Sequence, residues 1–507
     1  METVLNKFEQ KNLGAIANSQ VRVPVRMELQ NLCKKVLSTT ATCFVTGMEH
    51  KDAEIRVNGK VVTRIIFVDE FDGYNSEENT TEFSEKFTPK NAPAGCNPMA
   101  GIVATASPKT HKNEADLINA VTCEHTVNVA LTGLVGKEVS YVHELKGDVE
   151  MQTAPASIAT YGNNFMEKFE IGETFSLDQN IDGILGTELN AYVREIVVAN
   201  EKFTIKGVAA VSVAAVKSAD GSQSVCGNLY EFDFAKTFNK KEIHESDIIC
   251  GSVTVSNLGM KVENRTSPEL VIEAELCFNG HSIVRRDINM VTDAFSCDHV
   301  LEFAHGTATD TIAVAQTNII ADVEGNVSMP ENSPFIGKVL FASSPIVGSV
   351  NVKPQEDKVI VEGVLTSHII YECEEKHVYS HTAEVPFSLT AKIENCTPTH
   401  NVSVALAPMS CNVKARRGKE LLVDARMGVN LCATANGEVK LTANVTKGAE
   451  KAKGNHAITI KIAGAKDTLW DCAKQSSIPT AEILRQNPHA ANGITDGDRL
   501  VMYKKAR

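Results

Sequence analysis

The feature that most limits what this chain can fold into is an alternating apolar–polar pattern centred on a glycine, met three times. It occurs as "AEIRVNGKVVTRIIF" around Gly59, "EKFTIKGVAAVSVAA" around Gly207 and "DKVIVEGVLTSHIIY" around Gly363. Apolar side chains stand four and two residues before each glycine: Ile55 and Val57, Phe203 and Ile205, Val359 and Val361. Six and seven residues after it come Ile65 and Ile66, Val213 and Ala214, Ile369 and Ile370. A period of two belongs to a strand with one buried face, and a slip of one residue would turn that face to water. A glycine inside such a run marks a bulge or a close backbone approach. A phenylalanine then follows at a nearly constant offset of 24, 25 and 24 residues: Phe83, Phe232 and Phe387.

A second alternating segment closes each copy, "HTVNVALTGLV", "ELVIEAELCF" and "KELLVDARMGVNL". The chain is therefore expected to be mainly β, with three β-rich, sandwich-like repeats at residues 1–155, 156–318 and 319–446, the first carrying an N-terminal extension. Its 507 residues are too many for one hydrophobic core. The repeats are expected to line up as an elongated platform. Residues 447–456, inside "NVTKGAEKAKGNHA", have little to bury and suit a linker.

From residue 457 the texture changes. "HAITIKI" is a short strand, Asp467 and Thr468 offer an N-cap, and Leu469, Trp470 and Ala473 recur at helical spacing. "SIPTAEILRQN" suits a second short helix capped by Thr480, with Ile483 and Leu484 inward, and "NGITDGDRLVMY" a turn and a returning strand. Trp470 is the one tryptophan, and it is expected to be a core residue of this small βααβ module, where a single large aromatic supplies much of the buried area.

Two family resemblances follow. "KVIVEGVLTSHIIYECEEKHVYSHTAEVPFSL" resembles the SPOCS domain of spore-forming Firmicutes, with its strand–Gly–strand–Tyr run and a Pro-Phe-Ser element. "KDTLWDCAKQSSIPTAEILRQN" with "ITDGDRLVMY" resembles the LysM domain, over residues 457–505. LysM domains bind N-acetylglucosamine polymers such as peptidoglycan in a shallow groove. The resemblance implies Asp467, Thr468 and Leu469 on one side of that groove and Asn487, Pro488 and Ile494 on the other, with Lys466 where the family has glycine. Three SPOCS-like repeats followed by LysM resemble the layout of clostridial coat-morphogenesis proteins whose LysM domain recruits the coat ATPase SpoIVA. That implies a protein partner, and a cytoplasmic place on the mother-cell side of the forespore surface.

Composition agrees with such a role. No apolar run reaches membrane-spanning length, and the first twenty residues lack the apolar core of a secretory signal, so a cytoplasmic chain is expected. The net charge is −13; residues 457–507 hold eight Lys or Arg against five acids, a net +3, which leaves −16 on residues 1–456. An acidic body disfavours nucleic acid as a partner. The thirteen cysteines are scattered without a CxxC pair, which predicts reduced core thiols rather than a disulfide framework.

Few residues are spaced as catalytic or ligand-binding motifs are. Phosphate-binding, nucleophile-elbow and HExxH motifs are missing. Cys373, His377 and His381 would share a face on an extended strand, as zinc ligands require, but they straddle an expected hairpin turn and read as exposed turn residues. The acid-rich "VDEFDGYNSEENTTE" lacks EF-hand spacing. No enzyme, cofactor or metal is expected.

Overall fold

A computed structural model describes residues 1–51, 53–89, 95–177, 181–219, 222–264, 268–452 and 458–503, and the fold is mainly β. The first third of the chain holds β1 (Glu2–Lys51), β2 (Glu54–Asp69), β3 (Tyr74–Phe87), β4 (Gly95–Thr105), β5 (Lys109–Lys112) and β6 (Ile118–Lys146). The second holds β7 (Glu150–Ser176), β8 (Ile181–Ala199), β9 (Lys202–Ala219), β10 (Ser222–Asn239), β11 (Ile248–Asn264) and β12 (Pro268–Phe295). The third holds β13 (His299–Ser328), β14 (Ile336–Ala342), β15 (Ile346–Gln355), β16 (Lys358–Cys373), β17 (Val378–Lys392), β18 (Asn401–Arg416) and β19 (Glu420–Glu450). The tail comprises β20 (Ile458–Ile462), α1 (Leu469–Ser476), α2 (Thr480–Gln486), a 3-10 turn at Pro488–Asn492 and β21 (Arg499–Tyr503). None of the described helices is long and apolar enough to cross a membrane.

Each third combines two antiparallel layers. One is built on the glycine-centred strand: β3-β2-β1, β10-β9-β8, and β16 flanked by β14, β15 and β17. The other is built on a long closing strand: β1-β6-β4, β11-β12-β7 and β13-β19-β18. In the first third the 50-residue β1 runs through both layers and merges them into one six-stranded sheet. The alternating apolar faces meet between the layers. Val25, Val57, Ile65 and Val129 share one core. Phe165, Ile205, Val213 and Leu276 share the second. Val361, Ile369, Val385 and Val423 share the third.

The three glycines have one structural reason. Gly59 lies opposite Phe83, Gly207 opposite Phe234, and Gly363 opposite Phe387 in the antiparallel ladders. Each ring lies over its glycine, and a Cβ added at Gly363 would sit 2.7 Å from the Phe387 ring. Only glycine leaves room for that packing. Phe232, the expected partner of Gly207, instead faces Ala209. The β9–β10 hairpin is longer than its counterparts, so an almost constant offset pointed two residues short of the true partner. Phe234 is buried, whereas Phe232 is half-buried against Phe175.

The thirds do not line up as an elongated platform. Leu37 and Ile66, Ala214 and Val225, and Leu340 and Ile370 meet in one cluster to which all three contribute. Beyond it, three long ribbons, β1·β6, β7·β12 and β13·β19, run alongside one another. Their seams hold Phe8 and Tyr141, Ile158 and Ile288, and Ala308 and Leu441. Further along stand Leu145, Val291 and Val445. Thr3 Oγ1 donates to the Val445 carbonyl at 2.9 Å, and Asp310 accepts from the Ala159 amide at 2.7 Å.

These ribbons move the expected boundaries. β7 runs across 155/156 and β13 across 318/319, because alternation continues unbroken where a strand passes from one packing partner to the next. β19 continues to Glu450, pairing Lys447 with Leu301, so 447–450 is strand rather than linker. Residues 453–456 of that linker lie outside the described residues.

Cysteine usage also differs from expectation at one place. Cys250 of β11 and Cys432 of β19 are disulfide-bonded across 182 residues of sequence, while the other eleven cysteines stand outside that bridge. Two strands from different thirds bring them together, which no sequence spacing signals. Cys373 is buried at the end of β16 and His377 is exposed in the turn, where the Cys373 amide donates to the His377 carbonyl at 2.9 Å. The turn thus separates the Cys373, His377 and His381 side chains from the single strand face they would need.

Candidate functional site: the C-terminal tail

The tail packs in two clusters. Ala473, Ile478, Ile483 and Met502 close around Phe295 of β12, while Cys472, Ala490 and Leu500 form a cluster within the tail. β20 and β21 pair antiparallel, from Ile458 opposite Tyr503 to Ile462 opposite Arg499. The helix start is locally encoded. Thr468 caps α1, its Oγ1 accepting from the Asp471 amide at 3.1 Å, while Asp471 accepts from the Thr468 amide at 3.0 Å. This reciprocal box satisfies two otherwise orphaned amides. Hydrogen bonds from the Thr468 side chain and backbone lower the Asp471 carboxyl pKa. Thr480 does not cap α2; Pro479 occupies that position, and the buried Thr480 hydroxyl lacks a partner.

The residues assigned to the groove divide into two kinds. The loop holding Lys466, Asp467 and Thr468 lies beside the returning turn, tied by Gly497 N to the Ala463 carbonyl at 2.8 Å and Ala463 N to the Asp498 carbonyl at 2.9 Å. Lys466 and Thr468 are exposed. Asp467 accepts from the Gly464 amide at 3.1 Å and pairs with Lys461 at 3.3 Å, and these contacts lower its pKa in that order. Leu469 and Ile494 pack on the tail core, and Pro488 is exposed at the start of the 3-10 turn.

Asn487 corrects the sequence reading. It is buried at 2% exposure and spends its amide internally. Nδ2 donates to the Ile483 and Val501 carbonyls at 3.0 and 2.7 Å, and Oδ1 accepts from the Val501 amide at 2.8 Å. It clamps α2 to β21 and offers no free polar atom to a glycan. Replacing Asn487 with Ala strands the Val501 amide and carbonyl, while the Ile483 carbonyl keeps the backbone amide of residue 487, and should cost the tail about 2 kcal/mol. Hydrogen exchange at Val501 and Met502 should rise accordingly, and unchanged protection would refute the clamp.

Trp470 departs from expectation in its partner. It is half-buried, and its ring meets Phe295 of β12 edge-on at 5.1 Å. Its Nε1 donates to Asp293 Oδ2 at 2.8 Å, and Lys474 Nζ reaches Asp293 Oδ1 at 2.6 Å. Lys451 Nζ adds a bond to Ser477 Oγ at 2.8 Å. The lone indole therefore fastens the tail to the second ribbon. Burial alone would raise the Asp293 carboxyl, but hydrogen bonds from Lys474 and Trp470 outweigh it and lower its pKa. A lowered carboxyl pKa stabilises the docked form above the usual aspartate range, and that contribution is lost as pH falls through the folded pKa. Acid should thus release the tail, reported by a red shift of the single-tryptophan emission. Asp293→Ala should show that shift already at neutral pH, with docking weakened by about 1 kcal/mol.

One face of the tail was missed by sequence reasoning. Ile458, Ile460 and Ile462 are 57, 64 and 63% exposed. Register places Val501 beside Ile460 and Tyr503 beside Ile458 on that same outer face, with Arg499 at its edge. Leu500 and Met502 point to the opposite, helix-covered side and are buried. The signal was present in "ITIKI", whose apolar residues alternate, but only the pairing with β21 tells which side the helices cover.

Residues 336–416 match the family model of the SipL, SPOCS domain. No curated protein and no solved structure matches the chain. The SPOCS segment runs from the first residue of β14 to the last of β18. It therefore contains the Gly363–Phe387 pair and leaves the ribbon strands β13 and β19 outside.

Proposed function

We propose that this chain is a non-enzymatic scaffold of the spore coat, in which three SPOCS-like repeats carry a LysM-like tail that docks a coat morphogenetic protein. The SPOCS match at 336–416 is the observation that carries the sporulation reading. The shared Gly–Phe pairing at positions 59/83, 207/234 and 363/387 supports treating all three thirds as copies of one unit. For the tail, the strand–helix–helix–strand order and the Thr468 cap support the LysM resemblance.

A protein partner is favoured over an N-acetylglucosamine polymer by two facts. Asn487 is committed to the backbone, and the exposed Ile458–Ile460–Ile462 face offers apolar area instead of polar donors. Burial of such area drives association between proteins. The partner is a SpoIVA-like coat ATPase, met on the mother-cell side of the forespore. Ile460→Glu on the full chain should weaken capture of that ATPase at least tenfold while the fold stays intact, since the residue is 64% exposed. Equal capture by Ile460→Glu and the parent chain would sink the assignment of this face. Saturable chito-oligosaccharide binding by the full chain would favour the glycan reading instead.

A further inference from the structure

Cys250, His281 and Cys432 put their ligand atoms within 4.8 Å of one another, and all three residues are buried. Cys250 on β11 lies directly opposite His281 on β12, and Cys432 reaches them from β19 of the third ribbon. His281 Nε2 has no hydrogen-bond partner, although the residue is only 8% exposed. The Tyr161 ring packs edge-on against the imidazole at 5.1 Å, leaving that nitrogen unserved. A buried polar atom without a partner costs free energy that a structure ordinarily avoids. The disulfide by itself gives no reason for it. A buried imidazole with an unpartnered nitrogen, placed within 4.8 Å of two sulfurs, is a donor set suited to a metal.

We propose that Cys250, His281 and Cys432 form a reduction-opened site for one soft d10 cation, joining the second and third ribbons. In the oxidised chain the two sulfurs are bonded to each other and the site is closed. A thiol or phosphine reductant supplies two electrons, two protons are taken up, and the S–S bond becomes two thiols. The cation then binds two thiolate sulfurs and the neutral imidazole Nε2, displacing the two thiol protons to solvent. Thiolate with imidazole suits Cu(I) and Zn(II) and discriminates against hard cations such as Mg(II). The group contains three ligands among the described residues, which Cu(I) accepts as a complete set and Zn(II) would extend with a fourth, oxygen donor. Disulfide and metal would serve one mechanical purpose, since either clasps β11 to β19.

The test uses the full chain, reduced and freed of reductant without air, titrated separately with Cu(I) and Zn(II) against a competing chelator. Eleven further cysteines also offer thiols to such ions, so the readout is the difference between parent and variants. The reduced parent should hold one equivalent at least a hundredfold tighter than His281→Phe or Cys432→Ser does. The oxidised parent should lack that equivalent. His281→Met, which restores a soft donor, should regain Cu(I) but not Zn(II). Thermal unfolding of each variant identifies any that fail to fold, and the two independent ligand positions keep the comparison available. Equal stoichiometry and affinity in the folded reduced parent and either folded ligand variant, for both ions, overturns the site and leaves a plain disulfide.

Discussion

Phe234→Ala should unfasten the β8–β10 sheet, whereas Phe232→Ala should barely disturb it. Phe234 is buried, covers Gly207 and meets Phe169 at 5.8 Å. Truncating a buried phenylalanine costs about 4 kcal/mol, which is about three decades of amide protection. Phe232 is half-buried on the Phe175 side and faces Ala209, so its loss should cost about 1 kcal/mol. Hydrogen exchange is the right measurement, because a chain with several cores has no single unfolding free energy. Exchange in β9 that rises more in Phe232→Ala than in Phe234→Ala would falsify the glycine-covering role. It would also remove the main support for treating the second third as a copy of the other two.

A second large effect is expected with acid. Burial pushes the His281 imidazole down to about 4, against an ordinary value of 6.5. Its folded pKa lies below its unfolded one, so the unfolded chain binds the proton first. Stability is therefore intact above pH 6.5 and falls as pH drops from there towards 4. Across that window the loss reaches about 3 kcal/mol. His125 is shifted down by burial too, hydrogen-bonded to Thr63 at 2.9 Å, and contributes in the same direction. Comparing the oxidised parent with His281→Phe isolates the first residue. The temperature at which the β11–β12 amides lose protection should fall between pH 7 and 4.5 in the parent, and by distinctly less in the variant. Parallel curves would show that His281 does not carry the acid sensitivity.

How much of this could be read from sequence depends on the range over which each signal acts. Strands showed clearly, because alternation such as that of Val359, Val361 and Leu365 is a local consequence of having one buried face. The cap at Thr468 was equally legible, since its partner Asp471 stands three residues away. Phe232 was chosen over Phe234 because hairpin length, which the pattern cannot report, sets the register. Asn487 was placed in the groove by the LysM resemblance; that its bonds end on Ile483 and Val501 emerges only once α2 packs on β21. Cys250 and Cys432 could not be paired from spacing, and the outward face of Ile458, Ile460 and Ile462 depended on knowing which side the helices take. Local chemistry was visible; whatever needed two distant strands to meet was not.

The three-ribbon bundle has a consequence for how the chain must be made. The seam on the first ribbon, with Phe8 and Tyr141, is closed by Ala308 and Leu441, and Thr3 waits for the carbonyl of Val445. A ribosome emits these segments about a minute and a half apart at roughly 5 residues per second, or about twenty seconds apart at roughly 20. During that interval an oily groove stands open on a nascent polypeptide, and its completion requires closing some of the longest loops the chain can form. Synthesis should therefore recruit holdase chaperones to the early strands. A truncated product ending before residue 441 should aggregate rather than persist as a smaller version of the same scaffold.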